Sequence, residues 1–182
     1  IEALVNLPLV LPPTVLGFYL LVVMGPKGYA GALWEWVTHE RLVFSFEGIV
    51  IASLVYSLPF AILPMKATFS KIDKRLLESS FVLGLSSFST VFRVVLPTSV
   101  GGMMVSAILV VVHTLGEFGV VLLVGGSIPG ETKVASIAIY EAVEALRYSD
   151  AGMMSLVILI LCYVVLILLN LLTGKQRYGA YS

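Results

Sequence analysis

Residues 151–172 read AGMMSLVILILCYVVLILLNLL, an apolar run from Ala151 to Leu172 without a charge or a proline. A helix needs about 20 mostly apolar residues to cross a hydrocarbon core about 30 Å thick, so this run predicts a membrane span. Three other stretches qualify: Ala3 to Met24, interrupted by Pro8, Pro12 and Pro13; Gly48 to Met65, with Pro59 and Pro64; and Pro97 to Val124. The whole chain of 182 residues is 59% hydrophobic and 12% charged. Its mean hydropathy is +1.04, and such a chain needs lipid as part of its solvent. The expectation is an all-α, polytopic transmembrane helical bundle, a single domain over residues 1–182 with about four spans.

Net charge excludes little but points away from nucleic acid, since Lys plus Arg and Asp plus Glu both number 11. The one cysteine, Cys162, rules out an internal disulfide and a multi-cysteine metal cluster. The chain opens at Ile1 on residues that are already apolar, without the pattern of a signal peptide. A further N-terminal segment is expected before it.

Basic residues set the orientation. Lys66, Lys71, Lys74, Arg75 and Arg93 lie between the second and third spans, and Lys175 and Arg177 follow the fourth; only Lys27, Arg41, Lys133 and Arg147 lie on the other side. The loop at residues 66–97 and the C-terminus are therefore expected in the cytoplasm, with residues 125–150 outside.

On that outer side, Trp34 and Trp36 read as interfacial anchors, and His39 as a surface residue. Residues 131–147 place Val134, Ile137, Ala138, Ala142 and Ala145 at near-helical spacing, with Glu141 and Glu144 among them, which predicts a short amphipathic helix. The segment Gly125-Gly126-Ser127-Ile128-Pro129-Gly130-Glu131-Thr132 nearly spells a phosphate-binding loop. Glu131, however, stands where a lysine would meet the phosphate, so the chain carries no nucleotide site there.

His113 and Glu117 are four residues apart in the third span and share a face of a continuous helix. Ionisable groups at membrane depth face a bundle interior or a water-filled path, so both are candidates for a translocation path or gate. A proton relay in an ATPase-independent transporter or channel, and a metal site in an intramembrane hydrolase, are competing readings.

The central loop carries the most information. Leu76 to Leu85 predicts a short helix with Glu78 near its start, where the macrodipole favours an acid, and Gly84 would let another protein approach its backbone closely. Glu78-Ser79-Ser80, then three residues, Gly84, nine residues and Val94-Val95-Leu96-Pro97 resemble the E-A-A-x-x-x-G-x9-I-x-L-P loop of ABC importer permeases. Serines replace the two alanines and Val94 the isoleucine. Three more stretches look like the molybdate branch of that family: residues 6–13 (NLPLVLPP), Leu115-Gly116-Glu117-Phe118-Gly119, and Ile128-Pro129-Gly130-Glu131-Thr132 followed by Ala138-Ile139-Tyr140. The middle one is also similar to sulfate permeases.

The resemblance implies that Glu78, Ser79, Ser80, Gly84, Leu96 and Pro97 belong to a coupling helix and loop docked on a cytoplasmic ATPase. It places Gly119 with His113 and Glu117 along the path, and makes Pro129, Gly130, Glu131 and Thr132 an external family motif. It further implies a pore built with a second copy of the chain, a pair of ABC ATPases holding ATP and Mg, and an external oxyanion-binding protein in an inner-membrane assembly. No cofactor or metal is expected in this chain, and no catalytic residue. Molybdate, tungstate and sulfate remain open as cargo.

Overall fold

The computed structural model describes residues 2–178, with side chains for residues 3–168 and 171; Lys175 and Arg177, counted above, lie outside the described side chains. All regular structure among the described residues is helical. In order these are α1 (Glu2–Val10), α2 (Pro13–Met24), α3 (Tyr29–Thr38), α4 (Phe46–Phe69), α5 (Lys74–Val82) and α6 (Ser87–Thr90). A π-helical turn (Val91–Val95) leads into α7 (Leu96–Leu115), and α8 (Gly119–Gly125), α9 (Ala135–Glu144) and α10 (Tyr148–Tyr178) follow. Among the described residues, three stretches are long and apolar enough to cross a membrane: Phe46–Phe69, Ser87–Leu115 and Tyr148–Leu168. The pair α1 and α2 makes a fourth only as a broken span, bent by 118°.

That break corrects the reading of residues 3–24 as one helix. Pro12 is extended (φ −55°, ψ 137°) and Pro13 starts α2. Proline disfavours helical geometry in the residue before it and removes a donor, while its fixed φ suits the first helical position.

The third span also shifts. It runs from Ser87 to Leu115, beginning ten residues before the expected Pro97, and stops before Gly116, so that α8 is a separate helix. Pro97 lacks the N–H that would continue an α-helical ladder. The π turn just before it absorbs the mismatch, with the Leu96 amide reaching back to the Val91 carbonyl. The Thr98 hydroxyl donates to the Val94 and Val95 carbonyls, at 2.7 and 3.0 Å.

The chain forms two compact units. One takes residues up to Pro59 together with Val112–Tyr163. Its core joins Leu16 and Met24 of α2, Ala52 of α4, Val120 and Val124 of α8, and Leu42 and Val43 of the connector before α4. Close packing of α2 on α8 needs Gly17, since a Cβ there would sit 3.1 Å from Val120 Cα. A second cluster joins Ile49, Val121 and Ile137, the last being the buried face of α9.

The other unit takes Phe60–Val111 with the residues from Val164 onward. Here α4 and α7 meet at Gly102, where any side chain would overlap Thr68. The surface of α10 remains largely uncovered and apolar, from Met153 (70% exposed) to Leu171 (62%), which suits a helix solvated by lipid.

Candidate functional site

In the first unit, the C-terminal end of α7, the break at residues 116–118 and the starts of α2 and α8 enclose a cleft of about 500 Å³. Its polar groups come from Thr14, Tyr56, His113 and Glu117. The rings of Tyr56 and His113 lie 4.8 Å apart at 51°. One residue further along each helix, the hydroxyls of Ser57 and Thr114 are 3.2 Å apart and tie α4 to α7. Glu117 is 4% exposed. Neither of its carboxylate oxygens has a well-formed hydrogen bond among the described residues, although the Ser53 side chain lies close by. Its backbone carbonyl accepts from the Ser136 hydroxyl, at 2.5 Å, which pins the break to α9.

His113 and Glu117 thus line one cleft, but not as neighbours on a continuous helix: α7 has ended at Leu115, and Glu117 is carried by the break. Gly119 lines the same cleft at the start of α8, against the Pro13 side chain. Among the described residues no group of three or more His, Cys, Asp or Glu comes together as a metal site.

In the second unit, α5 begins at Lys74, two residues earlier than the sequence suggested. Asp73 caps it, accepting from the Arg75 amide at 2.9 Å. Glu78 consequently sits mid-helix and not in the first turn. At the other end the Gly84 amide donates to Phe81 O and the Leu85 amide to Ser80 O. With φ +79° at Gly84 this is a Schellman stop, a conformation glycine adopts without strain.

Ser79 is exposed and donates to Arg75 O, whereas Ser80 is buried. Leu96 is half-buried and Pro97 exposed at the start of α7. Arg75, Glu78, Ser79, Val82 and Leu83 line a shallow groove. Val82 (87% exposed) and Leu83 (80%) are its apolar part, and Phe88 of α6 is exposed as well (72%). Large exposed apolar patches rimmed by polar groups mark interaction surfaces.

Of residues 129–132, Thr132 is fully buried and its hydroxyl donates to Gly125 O, while Pro129, Gly130 and Glu131 are exposed. The predicted amphipathic helix is α9, shortened to Ala135–Glu144. Its Glu141 accepts from Lys133 first and Ser127 second, and these bonds hold its carboxyl below the ordinary glutamate range. Tyr140 donates to Glu144 at 2.8 Å, and that bond to a carboxylate raises the phenol above its usual value.

The sequence reading missed Tyr56 and Thr14 in the cleft, whose partners are distant in the chain. It also missed Val82, Leu83 and Phe88. A signal for these was present, since they are large apolar residues in a segment assigned to water.

The family described as binding-protein-dependent transport system inner membrane component matches residues 1–177. The chain is similar to the molybdenum transport system permease protein ModB of Azotobacter vinelandii, 48% identical over 83% of this chain and 67% of that protein. ModB of Escherichia coli (strain K12) is 33% identical over 79% of this chain and 63% of its own length. A probable sulfate transport system permease, cysT of Prototheca wickerhamii, is 32% identical over 98% and 69%. The crystal structure of a bacterial ABC transporter that imports the acidic polysaccharide alginate superposes with a TM-score of 0.73 at 20% identity, covering 96% of this chain and 64% of that one. A bacterial alginate ABC transporter in complex with an alginate pentasaccharide-bound periplasmic protein superposes with a TM-score of 0.72 at 21% identity. The chain spans about two thirds of the length of these proteins.

Proposed function

Because the chain belongs to the inner membrane components of binding-protein-dependent transport systems, a family of multi-pass permeases, we propose that it is the membrane-spanning subunit of an ABC importer, forming the path by which molybdate or tungstate enters the cytoplasm. Cargo reaches it from an external binding protein, a second copy of the chain completes the pore, and a pair of cytoplasmic ATPases holds the ATP and Mg. The permease itself carries no ATPase site. Its central loop and C-terminus face the cytoplasm.

The observation that carries this reading is the exposed pair Val82 and Leu83 in the groove on α5, with Phe88 of α6 exposed as well. It lies within the segment whose glutamate, glycine and proline spacing resembles the ATPase-docking loop. For the cargo, support comes from the 48% identity to a molybdenum permease, against 32% to the sulfate-labelled relative. The cleft at Glu117 lies within the path. It offers an anion no lysine or arginine, so cargo is held weakly there and selectivity rests with the binding protein.

ATP-dependent uptake by vesicles containing the whole complex tests the reading, with molybdate, tungstate and sulfate in competition. Molybdate or tungstate should displace sulfate. A preference for sulfate would reassign the cargo, and uptake by this chain without its ATPase would replace the mechanism.

A further inference from the structure

Ser80 and Thr90 are each 3% exposed, and their hydroxyl oxygens are 2.9 Å apart. Ser80 gives its only hydroxyl proton to Leu77 O at 2.7 Å. The Thr90 hydroxyl must therefore be the donor between the two, and Ser80 the acceptor. This relay runs from the last residue of α6 through Ser80 into the backbone of α5. No water is needed to complete it, and opening it would strand a buried donor.

The surroundings make the bond consequential. Between α5 and α6 lie only residues 83–86, and their one bend at Gly84 meets nothing within 4 Å of a Cβ position. On the other side of Thr90 the π turn begins at once, and Pro97 follows without an N–H. The helix is thus weakest just past the point where α5 is attached. Single π-helical turns inside α-helices are frequent at functional sites.

We propose that the Ser80–Thr90 hydroxyl pair is a latch that makes α5 and α6 one lever, pivoting on the π turn at Val91–Val95. A push on α5 then reaches the membrane span as a rotation at the pivot. Without the latch, α5 swings on the Gly84 linker and the push is lost. The consequence for transport rests on the reading of α5 as the ATPase-docking helix. Both hydroxyls act as positioning groups, and neither touches cargo.

The test uses the assembled complex in vesicles, with Thr90→Val removing the donor and Thr90→Ser keeping it. Two quantities are read: oxyanion imported per ATP hydrolysed, and amide hydrogen exchange over residues 83–90. Thr90→Val should hydrolyse ATP but import about fivefold less anion per ATP, the factor a single net hydrogen bond supports. Its exchange over the linker should rise by a similar factor, and Thr90→Ser should match the unaltered chain in both. If Thr90→Val fails to assemble, Ser80→Ala cuts the same bond from the other side and is read the same way. Unchanged import per ATP and exchange in the bond-cutting variant would overturn the latch, as would a Thr90→Ser variant as deficient as Thr90→Val. If the unaltered complex imports no oxyanion, the importer reading fails, and the exchange comparison alone decides whether the latch exists.

Discussion

Thr132 donates its hydroxyl proton to the Gly125 carbonyl 2.6 Å away and accepts from the Ile128 amide at 3.1 Å, while wholly buried. One side chain thereby closes the turn between α8 and α9. Thr132→Val keeps the shape but strands the buried Gly125 carbonyl and takes the acceptor from the Ile128 amide, and should cost about 1–3 kcal/mol. Thr132→Ser keeps both bonds and should lose much less. Thermal midpoints of the detergent-solubilised protein check both.

Glu141 supplies the acid sensitivity of the segment around α9. Its carboxyl is depressed in the folded chain, chiefly by Lys133 and then by Ser127. The stabilisation is therefore complete above the unfolded-state value of about 4.5 and is lost as pH falls through the lower folded value. Glu141→Gln should leave melting less dependent on pH in that acidic window. An acid limb as steep as that of the unaltered chain would place the sensitivity elsewhere.

Glu117 is buried without a well-formed bond to its carboxylate among the described residues. A buried group of this kind is costly and is retained for function more readily than for stability. Glu117→Gln should melt no lower than the unaltered chain yet import less anion per minute in the full complex. Unchanged import would remove the carboxyl from the mechanism.

At Gly84 the left-handed backbone, and not crowding, limits substitution, since a Cβ would meet nothing within 4 Å. Gly84→Ala should strain the stop of α5 by about 1–2 kcal/mol and lower anion imported per ATP. Gly84→Asn, which tolerates this conformation better, should retain more of it. Equal defects in the two would mean that the partner's surface, and not the backbone, reads this position.

The spans were legible because in lipid a long apolar run is nearly sufficient information, as Ala151–Leu172 illustrates. Breaks within spans were harder to place. Pro12 and Pro13 were visible as interruptions but not as a corner. Pro97 looked like a beginning when the π turn ahead of it lets the helix pass through. Gly84 reads in the sequence as a place of close approach, while its φ makes it a helix stop. Pairs such as Tyr56 with His113 and Ser57 with Thr114 join residues 57 positions apart in the chain, and no local pattern announces them. The hydroxyl of Ser80 reads in the sequence as a minor departure from alanine, and its partner Thr90 lies ten positions on.

The 118° corner between α1 and α2 also sets a boundary in the membrane. Two consecutive prolines there bring no N–H groups, and the carbonyls that a straight helix would have paired are left over. Hydrocarbon offers such groups nothing. Acyl chains are therefore barred from this corner, and whatever covers it in the working assembly must be water, protein or a lipid headgroup.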